Sequence, residues 1–348
     1  MSLTIDITGL PPERCLFAPS PLAELGAMLH VLVAPAHHPA LQPWAAGVLA
    51  GCKPSFTDRL LEAEFLWHSS RADFLVPAHP RATLAEELDD VDAISDETYA
   101  AAALVTTCGS SRLSFRRTAP DRLKDLARAR GPVQAAFAEQ LLADPGPVRV
   151  RVRRLLEDCV DEFFGEAWRR TAFALAADAR RMADLHERQG LGAALAAMSP
   201  AMTLSGTRIV LDKVQDNWTS AEDGLTFIPT AFGRPHLVTV HAPGYRPVVQ
   251  YPTAAEQPVP LDVVQRRIDA LAHPVRLRLC RTLARGPSTT SELAEAWQLS
   301  APEVSRHLAV LKKAGLTVTT RRGRYVSYQL DLSATAALGA DLIAVLLR

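Results

Sequence analysis

The chain is short of cysteine, lysine and long apolar runs, and each shortage removes a class of protein. Its five cysteines, Cys15, Cys52, Cys108, Cys159 and Cys280, are scattered without a CxxC pair, so neither a disulfide framework nor a thiolate zinc site is indicated. A reducing cytoplasm is the expected compartment. No stretch reaches the roughly 18 uninterrupted apolar residues of a membrane span, and the N-terminus MSLTIDITGLPPER has neither a basic leader nor an apolar core; no membrane is expected as a partner. There is no GxxxxGK, GxSxG or HExxH, and Gly190-Leu191-Gly192 neither follows a strand nor has the third glycine of a dinucleotide loop. The sequence therefore singles out no catalytic residue, no cofactor and no metal.

Net charge is also lacking, with 38 basic against 38 acidic residues, but the balance is uneven along the chain. From Leu261 to Arg348 there are 13 Lys+Arg and 7 Asp+Glu, so this tail is +6 and the preceding 260 residues are −6. Only five of the basic residues are lysines and alanine is abundant, a bias that follows base composition, so arginine number alone means little. The segregation of charge is more informative: it fits a nucleic-acid-binding tail on an acidic partner domain.

At 348 residues, 48% hydrophobic, the chain has the length of about two domains. Leu3, Ile5 and Ile7 alternate as in a short strand. Ser20 and Pro21 then cap and open a helix with Leu22, Leu25, Leu29 and Leu32 on one face. Further helices are predicted near 38–50, 56–68, 95–107, 120–129 and 132–143, with the longest from Val148 to His186, divided near Gly165. Between 203 and 252 the segments TRIVLDK, LTFIPT, HLVTVH and RPVVQY are short and β-branched, and read as a small antiparallel sheet. The proline-rich stretch 253–260 marks a linker. The expected fold is thus α+β: a mostly helical N-terminal domain over 1–252, helical to about 200, and a second domain over 261–348.

The tail carries the sharpest pattern. LDVVQRRIDALA places Val264, Ile268 and Leu271 on one face, and PVRLRLCRTLA turns Val275, Leu279 and Leu283 inward before Gly286-Pro287. A helix containing SELAEAW follows, capped within Ser288–Thr290. After Gln298-Leu299, Ser300 and Glu303 form a capping-box pattern at the start of SAPEVSRHLAVLKKAGL, and Gly315 ends it. Val304, Leu308 and Leu311 share the buried face, leaving Ala301, Pro302, Ser305, Arg306 and Ala309 outside. Low bulk at the entry with cations at Arg306 and Lys312 suits a helix in the major groove, about 12 Å wide. TVTTRRGRYVSYQL reads as a hairpin with Val326, Tyr328 and Leu330 on one face, its tip crowded with Arg321, Arg322 and Arg324. A last helix over 334–347 is too apolar to remain in water.

LAHPVRLRLCRTLARG, SELAEAWQLSAPEVSRHLAVLKKAGL and RRGRYVSYQL, in that order and spacing, resemble the winged helix-turn-helix domain of the ArsR-type repressors over about a quarter of the chain. The resemblance implies a homodimer built on the first and last helices of the domain and a double-stranded DNA operator as partner. It places the reading helix at 301–314; Ser305, Arg306 and His307 match the family's SRH triplet, and Arg322, Gly323, Arg324 and Tyr325 match its wing. Together with Ser300, Ala301, Pro302, Lys312 and Arg321 these are the expected DNA-binding residues. His307 borders the core face, where packing and DNA contact are equally compatible. Gln298 stands where the family often has glycine, and Glu303 where it commonly has Ser or Thr. The family's metal-sensing members place cysteines in the helix holding SELAEA or His and Asp in the last helix; Ser288–Ala296 has no Cys and Ala334–Arg348 no His, so metal sensing by those motifs is not expected. The N-terminal region is similar to the long region that precedes such a tail in some actinobacterial regulators.

Other candidates read as structure. Glu64 and His68 lie one helical turn apart, as an exposed polar pair would; His236 and His241 are expected on opposite faces of a strand. Phe163, Phe164, Trp168, Phe173 and Met182 read as core. The function expected is a repressor answering a small-molecule effector through its N-terminal domain, with an enzyme or a docking module in that domain as the alternatives.

Overall fold

A computed structural model describes residues 2–68, 71–109, 118–213, 216–242, 245–253, 259–322 and 325–347. Two compact units divide the chain, Met1–Glu256 and Gln257–Leu347. Residues 254–258 of the proline-rich 253–260 segment lie outside the described residues, as do Gly323 and Arg324, which the sequence assigns to the wing.

The first unit begins with β1 (Ser2–Asp6) and β2 (Cys15–Phe17), then α1 (Pro21–Val33). Ser20 caps α1 as its sequence predicts, its hydroxyl accepting from the Ala23 N–H at 3.0 Å. The helix is not one-faced, however: every residue from Pro21 to Leu32 is buried, because helices cover one side and a sheet the other. The helices are α2 (Gln42–Gly51), α3 (Pro54–Glu62), α4 (Leu84–Ala93), α5 (Asp96–Thr107), α6 (Pro120–Arg128), α7 (Pro132–Ala143) and α8 (Pro145–Cys159), which share one apolar core with α1. α8 passes through a wide turn, Val160–Phe164, into the 25-residue α9 (Gly165–Gln189). A Cβ on Gly165 would stand 2.8 Å from the Val160 carbonyl oxygen, which explains a glycine at the expected division. Phe163, Phe164 and Met182 are buried and Trp168 packs against the core, but Phe173 is 79% exposed, contrary to its reading as core.

After α10 (Leu191–Met198) come β3 (Met202–Ser205), β4 (Arg208–Asp212), β5 (Asn217–Ser220), β6 (Leu225–Thr230), β7 (Val238–Val240) and β8 (Val248–Pro252). The α+β class holds, but the strands do not make one antiparallel sheet. They form two four-stranded mixed sheets, ordered β3-β4-β1-β5 and β2-β6-β8-β7, with β1–β5, β2–β6 and β6–β8 parallel. The cause is burial on both faces: every residue of β6 and β8 is buried. Ile228, Val240 and Val248 pack with Ala23 of α1, while Phe227, Val249 and Tyr251 join a second core with α9 and α10. Parallel pairing is favoured where both faces are covered.

The second unit comprises α11 (Leu261–Leu271), α12 (Pro274–Leu283), β9 (Ser288–Thr289), α13 (Thr290–Trp297), α14 (Ala301–Lys313), β10 (Thr317–Arg322), β11 (Tyr325–Leu330) and α15 (Leu332–Leu346), with sheet order β10-β11-β9. Leu279, Leu283, Leu293, Val304, Leu308, Leu311 and Leu316 are at zero exposure and form its core; truncating one such leucine costs about 2–5 kcal/mol.

Candidate nucleic-acid interface

Two capped helices present the outer surface of α14. Thr289 and Glu292 form a complete capping box on α13. At the start of α14 the Ser300 hydroxyl accepts from the Glu303 N–H at 3.3 Å, but the Glu303 carboxylate does not accept in return from the Ser300 N–H, so only half of the expected box forms there. Gly315, at φ +69°, lets the Leu316 N–H reach the Leu311 carbonyl at 3.0 Å and close the helix. The turn between α13 and α14 is built by Gln298 at φ +53°, where Leu299 N–H bonds the Ala294 carbonyl.

With Val304, Leu308 and Leu311 buried, Ala301, Pro302, Ser305, Arg306, Ala309, Lys312 and Lys313 are exposed together. Among the described residues Arg306, Lys312 and Lys313 have no ion-pair partner. His307 is half-buried and its ring lies 4.9 Å from that of His273, whose Nδ1 accepts from the Val275 N–H and caps α12. It therefore joins α14 to the start of α12. The hairpin that follows pairs Arg321 with Val326 and Arg322 with Tyr325. Arg321 is exposed.

A positively edged helix, half-embedded and followed by a two-stranded wing, is what helix-turn-helix comparisons match. Residues 271–321 fit the model of a helix-turn-helix domain, and residues 1–257 fit that of a family of unknown function, DUF5937. The chain belongs to the DUF5937 family and ends in an ArsR-type winged helix-turn-helix. The biofilm growth-associated repressor of Agrobacterium fabrum is 33% identical over 94 residues, covering 25% of this chain and 80% of that protein. The HTH-type transcriptional regulator Rv2034 of Mycobacterium tuberculosis is 43% identical over 77 residues, 22% of this chain and 72% of its own length. The HTH-type transcriptional repressor SmtB of the same organism is 36% identical over 91 residues, 24% and 67%. All three matches lie within a quarter of this chain, so this DUF5937 member is a regulator of the DNA-binding type by its tail.

Within the DUF5937 region, Glu64 and His68 are a half-exposed pair 3.7 Å apart, in keeping with the polar-pair reading. A buried polar centre lies elsewhere. Glu24 of α1 accepts from the Ala231 and Phe232 N–H groups at 3.0 and 3.3 Å; burial, only partly offset by these bonds and by Arg71, pushes its pKa up to about 7. Arg71 donates to the Gln250 side chain, which in turn donates to the Ala23 carbonyl at 2.9 Å. The loop pinned by Glu24 carries His236, which meets His30 of α1 and not His241. His30, His37 and His236 were not singled out together by the sequence, whose one local signal is the His37-His38 doublet seven residues after His30. No helix among the described residues is long and apolar enough to cross a membrane.

Proposed function

We infer that the protein is a homodimeric repressor that reads an operator through α14 and the wing, and that its DUF5937 unit couples a small-molecule signal to that reading. The observation that carries the DNA-binding surface is the outer face of α14: small at Ala301, Pro302 and Ser305, cationic at Arg306, Lys312 and Lys313, with none of these cations committed to an ion pair within the described fold. Ser305 and Arg306 reach base edges, Ser300 and Lys312 meet phosphates, and Arg321, Arg322, Gly323, Arg324 and Tyr325 follow the backbone or minor groove. His307 positions the helix through His273. Dimerisation is supported by α15, an apolar helix of 15 residues with no buried residue.

The test starts from an operator selected out of random duplex DNA. Arg306→Ala should abolish its footprint, and Arg322→Ala or Arg324→Ala should weaken binding and reduce the slope of log affinity against log salt by about one each. Unchanged affinity in all three variants overturns the assignment. The signal is tested by a thermal-shift screen of metabolites, with hits assayed for release of DNA; if no compound alters DNA affinity, the coupling role of the DUF5937 unit falls.

A further inference from the structure

Four histidine rings meet at the C-terminal end of α1. His30 lies in its last turn, His37 ends the short turn Pro35–His37, His38 follows, and His236 comes from the loop between β6 and β7. Ring centroids are 4.7 Å apart for His30 and His236, 5.4 Å for His37 and His236, and 5.5 Å for His30 and His37. One ligand nitrogen from each of His30, His37 and His236 lies within 4.8 Å of the other two.

The hydrogen bonds say which nitrogens are free. His30 Nδ1 stands 2.9 Å from the Trp67 carbonyl oxygen, which can only accept, so Nδ1 carries the proton and Nε2 is bare. His38 Nδ1 donates in the same way to the Arg234 carbonyl. The Nε2 of His38 and the Nδ1 of His37 are buried with no hydrogen-bond partner. A ring nitrogen buried in this way costs free energy comparable to a lost hydrogen bond, a cost that an ion bound at His37 Nδ1 would remove. A carbonyl that fixes one ring nitrogen while the other faces a shared point is the arrangement that orients imidazole toward a metal.

We propose that His30, His37 and His236 bind a divalent first-row transition ion, best matched by Zn2+, with His38 packed against the set as a positioning residue. Three imidazoles without carboxylate ligands disfavour Ca2+ and Mg2+ and suit Zn2+, Co2+, Ni2+ or Cu2+. Tetrahedral zinc with bonds of about 2.0–2.1 Å needs ligand nitrogens about 3.3–3.4 Å apart. His30 Nε2 and His236 Nε2 are 3.0 Å apart and need to open by only a few tenths of an ångström. His30 is fixed by its helix and by Trp67, whereas His37 and His236 are half-buried on a turn and a loop and can adjust. To ligate through Nε2 as a neutral imidazole, His236 must carry its proton on Nδ1. Arg71 opposes a cation here, and the buried Glu24 beside it offsets that charge where its carboxyl is ionised.

This site does not depend on the DNA-reading assignment. Full-length protein stripped by a chelator and dialysed is titrated with Co2+ and then Zn2+. One equivalent of Co2+ should bind with the visible absorption of a nitrogen-ligated four- or five-coordinate ion and no thiolate charge-transfer band, Zn2+ should displace it, and the melting temperature should rise. His37→Gln and His236→Gln should each weaken Co2+ binding at least as much as loss of a supporting partner does, about 10- to 100-fold, the first of them without lowering the melting temperature of the metal-free protein. His68→Gln and Arg306→Ala should bind Co2+ as the unaltered chain does, the latter separating loss of this site from loss of DNA reading. Absence of a stoichiometric ion, a thiolate band, or equal binding by His37→Gln overturns the proposal.

Discussion

Gln298 is the one non-glycine residue among those described with a positive φ, +53°. An L-residue in the left-handed region carries roughly 1–2 kcal/mol of strain that glycine avoids, and glycine gives back part of that through a freer unfolded chain. Gln298→Gly should therefore stabilise the second unit by about 0.5–1 kcal/mol, read as slower amide exchange at Leu293, Val304 and Leu308; faster exchange would mean that the glutamine side chain is itself anchoring the turn. The departure from glycine was visible in the sequence, because turn chemistry is local. So was the surface of α14, where helical spacing alone separates Val304, Leu308 and Leu311 from Ser305 and Arg306. The histidine cluster was not. His30 and His236 are 206 positions apart, and their meeting depends on Glu24 holding the loop at Ala231 and Phe232, a contact that no periodicity records.

Among the elements, α1 and α4 are joined by a buried acid. Glu87 of α4 accepts from the Leu22 N–H at 2.6 Å and the Ser20 hydroxyl at 3.0 Å through one oxygen, and from the Arg81 N–H at 3.0 Å through the other, capping a helix to which it does not belong. Burial outweighs these three donors and pushes its pKa from 4.5 up to about 7. A carboxyl whose folded pKa is raised contributes its stability fully below 4.5 and loses it as pH rises through 7, since the folded state then holds more protons than the unfolded one. Glu87→Gln, neutral at every pH, should accordingly be less stable than the unaltered chain at pH 5 and recover about 1–3 kcal/mol of that deficit by pH 8, measured by urea unfolding followed at the α1 amides. A deficit that grows with pH would show that the donors hold the carboxylate ionised. The helix carrying Glu87 was missed although Thr83 and Glu86 spell out its capping box, which the structure completes; its acidic face, LAEELDDVDA, offers few apolar positions for periodicity to catch. β1, β4, β6, β7 and β8 were recognised individually, whereas the short β2, β3 and β5 were not; β1 pairs with β5 and β2 with β6 across some two hundred residues, and alternation within a strand cannot reveal a partner that distant.

For the molecule as a whole, assembly turns on the second unit's apolar exterior. α15 packs on α11, where Arg267 and Asp341 form a largely buried ion pair at 2.8 Å. That contact leaves Leu332 and Leu346 of α15 at 56% and 67% exposure, with Leu261 and Ile268 of α11 at 55% and 39%. Ile268 was expected inward with Val264, but only Val264 is buried, so the helix turns part of its apolar stripe away from its own core. A second copy presenting the same stripe would cover both by two-fold symmetry. It would also place two reading helices on one duplex, and linkage of two half-site contacts commonly raises affinity by about 10²–10⁴ over either alone. Leu346→Glu puts a charge on such a face, at the last residue of α15, and replaces no buried residue of the monomer. It should sediment at the 37.7 kDa mass of a single chain and lose operator affinity by a factor in that range, while Co2+ binding at His30, His37 and His236 is unchanged. A variant that stays dimeric and binds the operator as before would move the interface elsewhere, and α15 would then need another partner to cover it.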